Sequence, residues 1–289
     1  MTDDIAERVA AVVVNYNAGD YLLGCVRSLR GAGVVQIIVA DNASTDTSVA
    51  ALRAADPDTT IVETGGNFGY GGGANRGAVA APARADVLLI SNADVVVEPA
   101  AIKAMVAALD ADPELGIVGP RIDNTDGTLY PSARNIPGPF DAMGHAFLGL
   151  IKPNNRFTRR YRMLDWDHAS AKHVDWISGA CFAIRRTVFE RLGGFNEAYF
   201  MYLEEIDLCH RTKELGAGVL YEPAARVMHV GAVSTNQVPY RMLAAHHRST
   251  LRWWWSSHRW PARAVVPFVG LGLGIRFVLA ALVRSLRRR

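Results

Sequence analysis

The sequence predicts an α/β protein with a mainly parallel sheet and flanking helices. Short runs of consecutive apolar, branched residues, such as residues 9–14 and 86–90, are typical of strands buried on both faces. These runs alternate with stretches whose apolar residues recur at helical spacing, which favours right-handed strand-helix-strand units. With 289 residues, of which 50% are hydrophobic, the chain can bury a sizeable core.

The first 120 residues carry the clearest alternation. Strands are predicted at residues 9–14, 34–40, 60–63, 86–90 and 116–119. Helices are predicted around residues 22–29, from an N-cap at Ser44 through residue 52, and over about 100–109. The glycine-rich segment 65–77 is predicted to be a loop whose backbone amides can approach a ligand closely.

The second half of the chain is less regular. Residues 124–172 have poor periodicity, with scattered proline and glycine, so loops and short helices are expected there. Residues 174–185 are predicted to form two strands, or one strand bent at Gly179. A short helix at 187–192 and a longer helix from Glu204 to about residue 215 follow.

Polar residues follow the predicted strands of the first half, namely Asn15, Asp41, Asn67 and Asp94. Ligands of open α/β sheets bind at the carboxyl ends of the strands, so four polar strand ends on one edge favour a ligand site. Taken alone, Asp94 and its neighbour Asn92 have a second explanation, because they can turn the chain and cap the next helix.

An acidic cluster, Glu204, Glu205 and Asp207, opens the last predicted helix of the body. Acids in a first helical turn interact favourably with the helix dipole, and Asp207 can pair with Arg211 four residues later. A general base for a hydroxyl group must be a carboxylate or a histidine within hydrogen-bond reach. Glu205 or Glu204 meets that requirement if it faces the ligand site.

The charge is unevenly distributed along the chain. After Glu222 there is no acidic residue, yet eleven arginines follow. Because this basic stretch is interleaved with long apolar runs, it favours an anionic membrane surface or a diphosphate lipid over nucleic acid. The three cysteines are far apart in apolar surroundings, which indicates reduced core thiols. The N-terminus lacks a secretory signal, so we expect the cytoplasmic side of the membrane.

The C-terminal region, residues 236–289, is predicted to be helical and membrane-associated. Between Pro239 and Pro261 a helix would align one basic stripe, made of Arg241, Arg248, Arg252 and Arg259. Residues 264–283 are long enough to span a bilayer, but their proline, three glycines and Arg276 argue against spanning. We expect an in-plane or re-entrant helix. The alternative is an amphipathic helix docked on the protein's own core.

Several ordered motifs occur together along residues 9–233. They are Val14-Asn15-Tyr16-Asn17, Ala40-Asp41-Asn42-Ala43-Ser44-Thr45-Asp46, Asn67-Phe68-Gly69-Tyr70, Asn75-Arg76-Gly77, Asn92-Ala93-Asp94, Gly193-Gly194-Phe195 and Glu204-Glu205-Ile206-Asp207. As a set they resemble the inverting glycosyltransferases of family 2, which have the GT-A fold. The resemblance implies residues 1–235 as the catalytic domain, with a nucleotide-binding half at 1–120 and an acceptor-binding half at 121–235.

The resemblance also implies roles for individual residues. The nucleotide-sugar site would comprise Asn15, Asp41, Asn67, Gly69, Asn75, Arg76 and Asn92. Asp94 and His229 would bind Mn²⁺ or Mg²⁺, although a strand-end histidine that is merely hydrogen-bonded is the alternative for His229. Asn92 stands where the family has the first carboxylate of Asp-x-Asp, so the metal must share its shell with donor diphosphate oxygens.

Glu205 inherits the role of catalytic base from the resemblance, with Glu204 and Asp207 as reserves. Arg134, Trp176 and Gly179 would face the acceptor. Within the family the chain most resembles enzymes that transfer L-rhamnose from a dTDP-sugar donor to a polyprenyl-diphosphate-linked N-acetylglucosamine during cell-wall assembly. Other donor sugars remain an alternative, and the oligomeric state is not indicated.

Two other classes of protein make different predictions. A sugar nucleotidyltransferase needs a glycine-rich, lysine-bearing loop directly after the first strand, and Asn15-Tyr16-Asn17-Ala18 is not such a loop. A non-catalytic membrane scaffold would keep its role when Glu205 is replaced by glutamine, whereas a transferase would lose activity.

Overall fold

The structure is a computed structural model that describes residues 2–149, 151–231, 239–257, 260 and 262–287. In this part of the chain ten strands form the main sheet and two form a small one. The strands are β1 (Val9–Asn15), β2 (Gln36–Asp41), β3 (Thr60–Glu63), β4 (Val87–Asn92), β5 (Val95–Val97), β6 (Leu115–Asp123), β7 (Leu129–Tyr130), β8 (Ala133–Arg134), β9 (Lys172–His173), β10 (Trp176–Ile177), β11 (Cys181–Arg185) and β12 (Gly218–His229).

The described helices lie on both sides of the sheet and at the C-terminal end. They are α1 (Thr2–Arg8), α2 (Tyr21–Gly31), α3 (Ser48–Ala55), α4 (Gly69–Val79), α5 (Ala101–Ala111), α6 (Pro139–Leu148), α7 (Arg156–Tyr161), α8 (Arg186–Arg191), α9 (Glu204–Glu214), α10 (Pro239–Ser257) and α11 (Val266–Arg287). The short elements between β6 and β9 confirm the expected loops and short helices.

The sheet is mixed, which corrects the prediction of a mainly parallel one. The order is β3-β2-β1-β4-β11-β6-β12-β5, and the first four strands are parallel. β11 enters antiparallel between β4 and β6, and β5 pairs antiparallel with β12. A strand buried on both faces has the same apolar run in either direction, so the residue pattern could not reveal the reversal.

β1 shows why a continuous apolar run suits the centre of this sheet. Val9, Ala11 and Val13 belong to the core on one face, whereas the intervening residues of β1 pack in the core on the other face. All seven residues of β1 are buried. The three cysteines are likewise buried and unpaired, as predicted.

The glycine-rich segment is largely a helix, α4, so the predicted loop over residues 65–77 is wrong beyond Gly69. Glycine is a poor helix former, but here it permits close packing on the sheet. A Cβ at Gly77 would lie 2.5 Å from Val12 Cγ1, and one at Gly73 would lie 2.8 Å from Asn42 Nδ2. Tertiary packing therefore outweighs helix propensity in this segment.

Replacement of Gly77 by alanine is expected to destabilise the protein by about 1–3 kcal/mol, because the added methyl group overpacks the contact with β1. Gly24 in α2 is the matched control, since nothing lies within 4 Å of a Cβ added there. Alanine at that position should stabilise the protein by about 0.5–1 kcal/mol. Urea unfolding of both variants measures the difference, and equal effects would contradict the packing argument.

The start of α3 also differs from the prediction. The helix begins at Ser48 rather than after Ser44. Ser44 instead donates a 2.5 Å hydrogen bond to Asp41 Oδ1 and accepts one from the backbone N–H of Asn17. Its hydroxyl group therefore fastens two strand ends to each other rather than capping a helix.

The C-terminal helices pack against the body of the protein. Ser249 of α10 donates to the carbonyl of Met201, and Arg276 of α11 donates to the carbonyl of Ala146 in α6. The alternative of a docked helix concerned residues 264–283, most of which lie in α11, and this helix contacts α6 through the hydrogen bond of Arg276. None of the helices in the described part of the chain is both long and apolar enough to cross a membrane. The predicted boundary at 235/236, and the residues Arg259 and Pro261, lie outside the described residues.

Candidate active site

A cleft of about 880 Å³ opens at the carboxyl ends of the parallel strands. Val14 and Asn92 at the ends of β1 and β4, and Asn42 just after β2, form part of its lining. Other residues of the lining are Glu204 and Glu205 at the start of α9 and His229 at the end of β12. Segments that are far apart in sequence therefore converge at the sheet edge expected from the polar strand ends.

Asn15 and Asp41 are the paired ends of β1 and β2, and both are buried. Asn15 Nδ2 donates to Asp41 Oδ1 over 2.9 Å, and Ser44 donates to the same carboxylate through its N–H and its hydroxyl. Neither Asn15 nor Asp41 is among the residues that line the cleft. In the protein alone these two side chains are therefore engaged with each other and with Ser44.

Asn42 and Asn67 hold the entrance of α4 against the strand ends, and both line the cleft. Asn42 Nδ2 donates to the carbonyl of Gly69 over 2.8 Å, and Asn67 Oδ1 accepts from the Gly69 N–H over 3.0 Å. Gly69 has φ +76°, and a Cβ there would lie 1.8 Å from the carbonyl oxygen of Phe200. Only glycine fits this position in the wall of the cleft.

Asp94 and His229 meet across the pairing of β5 with β12. His229 Nε2 lies 3.1 Å from Asp94 Oδ1 and 3.2 Å from Asn92 Nδ2. The second carboxylate oxygen of Asp94 accepts from the Gly231 N–H over 2.9 Å. The structure thus brings together the three residues that the sequence assigns around a metal, although 135 residues separate Asp94 from His229.

This donor set fits a divalent ion only as part of a shared shell. The described residues contain no group of three or more His, Cys, Asp or Glu side chains arranged to hold a metal by themselves. One carboxylate and one imidazole are compatible ligands for Mn²⁺ or Mg²⁺, which usually retain ligand oxygens from water or phosphate. The neutral Asn92 adds no charge. The residues fit a metal that arrives with an oxyanion.

Glu204 and Glu205 enter the cleft from the first turn of α9 because of an unusual backbone. Tyr202 and Leu203, which precede the helix, both have φ +67°. Two consecutive left-handed residues that are not glycine store strain of a kind that concentrates at functional sites. This conformation directs the start of the helix at the cleft and sets the orientation of both carboxyl groups.

The two glutamates differ in their surroundings. Glu204 is 3% exposed, its Oε2 has no hydrogen-bond partner in the described residues, and burial together with Glu205 raises its pKa well above the ordinary value. Burial also raises the pKa of Glu205, but the positive charge of Arg134 opposes that shift. The protonated form is therefore favoured more strongly at Glu204, and Glu205 is the better candidate for a base.

Asp207, the other reserve base, is not among the residues that line the cleft and is paired with Arg211. Its carboxylate accepts a 2.6 Å hydrogen bond from Arg211 Nε, as the spacing of four residues predicted. Arg211 also donates to the carbonyls of Leu192 and Gly194. Asp207 therefore anchors α9 to the preceding glycine turn.

Asn75 and Arg76 also lie outside the residues that line the cleft, contrary to the expectation of direct donor contact. Asn75 exchanges hydrogen bonds with both backbone groups of Phe195. Arg76 Nη1 forms a 3.0 Å ion pair with Glu197, and its guanidinium carbon lies 3.7 Å from the ring centre of Phe68. These side chains hold the turn after α8 against α4.

The acceptor residues predicted from sequence occupy different depths. Gly179 lines the cleft and lies against Glu205, since a Cβ there would be 3.3 Å from Glu205 Cβ. Trp176 is 3% exposed and donates from Nε1 to the carbonyl of Asn135. Arg134 lies 4.9 Å from the ring centre of Trp176 and donates to the hydroxyl of Tyr130, which lines the cleft.

Several residues that line the cleft were not assigned a role from the sequence. Tyr70 donates from its hydroxyl to the carbonyl of Gly179, which joins α4 to the segment facing Glu205. Arg241 and Met242, at the start of α10, also line the cleft. Tyr70 stands inside a motif already recognised in the sequence, and Arg241 was assigned to the basic stripe of the C-terminal region rather than to the cleft, whereas no local signal identified Met242.

The fold and the cleft define a class of protein, the GT-A glycosyltransferases. The chain superposes on a mannosyltransferase from Pyrobaculum calidifontis, in complex with GDP-mannose and Mn²⁺, with a TM-score of 0.59 and 17% identity, covering 95% of this chain and 75% of that one. A crystal structure of the N-acetylgalactosaminyltransferase GalNAc-T7 with UDP, GalNAc and Mn²⁺ gives a TM-score of 0.57 at 17% identity, covering 78% of this chain and 44% of that one. At these identities the likeness establishes the fold.

Residues 10–193 match the model of glycosyl transferase family 2, and the chain belongs to that family. It is 36% identical over 297 residues to the N-acetylglucosaminyl-diphospho-decaprenol L-rhamnosyltransferase of Mycobacterium tuberculosis strain H37Rv, covering 96% of this chain and 95% of the relative. It is also 27% identical to a low-salt glycan biosynthesis hexosyltransferase of Haloferax volcanii, over 74% of this chain and 62% of that one. The protein is a glycosyltransferase, as the motifs predicted.

Proposed function

We propose that this enzyme transfers L-rhamnose from dTDP-rhamnose to an N-acetylglucosaminyl-diphospho-polyprenol, with inversion at the anomeric carbon. The observation that carries the proposal is the 36% identity to a rhamnosyltransferase over nearly the full length of both chains. That alignment includes the acceptor side and the C-terminal helices as well as the nucleotide-binding half. The product would serve as the linker between peptidoglycan and arabinogalactan in the cell wall.

The residues of the cleft support a direct displacement. Glu205 would accept the proton of the acceptor hydroxyl while that oxygen attacks the anomeric carbon. The bond between this carbon and the diphosphate oxygen breaks, dTDP leaves, and the new glycosidic bond forms on the opposite face of the sugar. Gly179 lies against Glu205 and lines the cleft, so it would contact the acceptor sugar beside the base.

Asp94 and His229 are the residues that would hold Mn²⁺ or Mg²⁺ together with the donor diphosphate. When bound, the ion would stabilise the negative charge that develops on the departing dTDP. His229 Nε2 would use its lone pair for the ion, so Asn92, whose Nδ2 lies 3.2 Å from that nitrogen in the protein alone, would contact the donor instead. This arrangement suits a metal and a donor that bind as a unit.

The C-terminal region supports an acceptor whose lipid chain stays in a bilayer. Several large apolar side chains of α6 and α11, together with Ile151, are between 46% and 87% exposed. We refer to them as the apolar outer face, which comprises Phe140, Met143, Leu148, Ile151, Phe268, Leu271, Ile275 and Val278. Exposed apolar surface on adjoining helices is typical of a membrane contact. We propose that the enzyme docks through this face, at the cytoplasmic side.

Substitution of Phe268 and Ile275 by serine is expected to weaken binding to anionic phosphatidylglycerol vesicles by about tenfold or more. The reason is that two apolar side chains that would be buried in the bilayer are lost. Cosedimentation with vesicles measures the partition. Val79 is the control, since it is 86% exposed on α4 but is not part of the apolar outer face. Serine at Val79 should leave cosedimentation unchanged, and unchanged binding of the double variant would contradict the docking face.

A donor screen tests the proposed reaction. The purified enzyme is given dTDP-rhamnose, dTDP-glucose, UDP-glucose or UDP-galactose, with a lipid-linked N-acetylglucosaminyl diphosphate and Mn²⁺ or Mg²⁺. Transfer from dTDP-rhamnose is expected to exceed transfer from the other donors. Preference for another donor would leave a family 2 transferase of different sugar specificity, and no transfer from any donor would overturn the proposal.

A further inference from the structure

Three partly buried arginines, Arg134, Arg162 and Arg276, form no ion pair with an acidic side chain in the described residues, although the charge of Glu205 acts on Arg134 at longer range. Arg134 is bonded to the carbonyl of Pro131 and to tyrosine hydroxyls. Arg276 donates to a backbone carbonyl and lies 3.4 Å from a histidine nitrogen. The Nε of Arg162 is buried and has no hydrogen-bond partner within the part of the chain that the structure describes. Charges removed from water are normally paired, so these three demand an explanation.

The three arginines lie along one path from the cleft to the apolar outer face. Tyr130 lines the cleft and accepts from Arg134, which lies 5.5 Å from the ring centre of Tyr161. Arg162 follows Tyr161 in the chain. The ring of Tyr161 lies 4.7 Å from that of His145, and the next residue, Ala146, accepts from Arg276 of α11.

A second contact joins the far end of the path back to the cleft. Arg276 lies 3.4 Å from His247 Nε2, and the ring of His246 lies 5.8 Å from that of His247. His246 in turn lies 5.4 Å from the ring of Tyr202, which lines the cleft. The Nδ1 of His246 is buried without a partner among the described residues. We call Arg134, Arg162, Arg276, His145 and His246 the cation cluster.

The electrostatics of the cation cluster are unfavourable in the protein alone. Burial, together with Arg162, Arg134 and Arg276, lowers the pKa of His145 to about 4. Burial, together with Arg276 and two histidines, lowers the pKa of His246 to about 4. Burial and the neighbouring charge of Arg134 lower the pKa of Arg162. An anion placed among these groups would relieve the repulsion.

We propose that the cation cluster binds the diphosphate of the lipid-linked acceptor, with Arg162 and Arg276 as residues of this site in addition to Arg134. The inference rests on the proposed function for the identity of the acceptor. The acceptor must place its sugar at the cleft, its doubly anionic diphosphate next to the sugar, and its lipid chain beyond the diphosphate. The cleft, the cluster and the apolar outer face succeed one another in that order. Guanidinium groups match phosphate oxygens in geometry and charge.

The kinetic test compares two acceptors. One is a short-chain polyprenyl-diphospho-N-acetylglucosamine, and the other is octyl N-acetylglucosaminide, which lacks the diphosphate. Arg162→Gln and Arg276→Gln are each expected to raise KM for the diphosphate acceptor by about 10- to 100-fold, the range for a lost charged hydrogen bond. The KM for the octyl acceptor should stay unchanged. Equal increases for both acceptors would overturn the assignment.

Arg159→Gln is the matched control, because Arg159 lies in α7 near Arg162 but pairs with the exposed Asp165. This variant should behave like the unmodified enzyme with both acceptors. Arg162→Lys should recover part of the affinity for the diphosphate acceptor. If the two cluster variants instead lose vesicle binding and keep their KM for the soluble diphosphate acceptor, the cluster contacts lipid headgroups and the acceptor assignment is wrong.

A binding test that needs no turnover separates this inference from the proposed function. Inorganic pyrophosphate is added while saturating dTDP occupies the donor site, and the His145 ring is followed by NMR. An anion in the cluster favours the charged imidazole, so the pKa of His145 should rise above about 4. The rise should be absent in Arg162→Gln. No rise in the unmodified enzyme would overturn the site even if rhamnosyl transfer is observed.

Discussion

Glu205→Gln is expected to lower kcat by about 10²- to 10⁴-fold, the usual contribution of a general base, while dTDP binds with unchanged affinity. The amide keeps the size of the side chain that packs on Gly179 but cannot accept the hydroxyl proton. Calorimetric titration of dTDP and the transfer rate measure the two quantities. Because burial raises the pKa of Glu205, the rate should fall on the acid side at a higher pH than an ordinary carboxylate would give.

Glu204→Gln is the control for that experiment. Burial and the neighbouring Glu205 favour the protonated form of Glu204, and glutamine resembles a protonated acid in shape and hydrogen bonding. Its effect on kcat should therefore stay within about tenfold, well below the loss expected for a base. If the two variants exchange these outcomes, Glu204 is the base. If Glu205→Gln keeps full activity, the protein uses its cleft for binding and the catalytic account is wrong.

Asp94→Asn is expected to lower the transfer rate by about 100-fold or more, because the only carboxylate next to His229 in the described cleft is lost. The same change should abolish the joint binding of Mn²⁺ and dTDP, which paramagnetic resonance of Mn²⁺ measures directly. In the unmodified enzyme Mn²⁺ should bind tightly only when dTDP is present. Tight binding without dTDP would contradict the shared shell.

Asp56→Asn provides the matched control for the metal experiment. Its carboxylate is bonded to Arg30 and is not among the residues that line the cleft. The variant should retain both transfer and the joint binding of Mn²⁺ and dTDP. His229→Gln should weaken the joint binding less than Asp94→Asn, since it removes a neutral ligand rather than a charge.

The strands of the nucleotide-binding half could be predicted from the sequence because burial on both faces leaves an unbroken apolar run, as in β1. The direction of β11 could not be predicted, since such a run carries no information on direction. That Gly69–Val79 forms a helix could not be predicted from the sequence either. Glycine there serves a contact with β1 and β2 that forms only after the sheet assembles.

In the candidate site, too, some features could be predicted from the sequence and others could not. Asp94 and Glu205 could be proposed because each stands in a short motif at the end of a predicted element. The contact between Asp94 and His229 depends on the pairing of β5 with β12, which no local residue pattern reveals, although the family resemblance assigned both residues to one metal. Arg76 belongs to a recognised motif but pairs with Glu197, 121 residues later, so this ion pair became visible only in three dimensions.

The proposal that this family 2 enzyme is an inverting rhamnosyltransferase is tested most directly by NMR of its product. The enzyme is incubated with dTDP-rhamnose and a synthetic polyprenyl-diphospho-N-acetylglucosamine, and the coupling at the new anomeric carbon is measured. We predict one rhamnose per acceptor, with an anomeric configuration opposite to that of the donor. A product with retained configuration would contradict the account. Transfer of another donor sugar while no rhamnosylated product forms would contradict it as well.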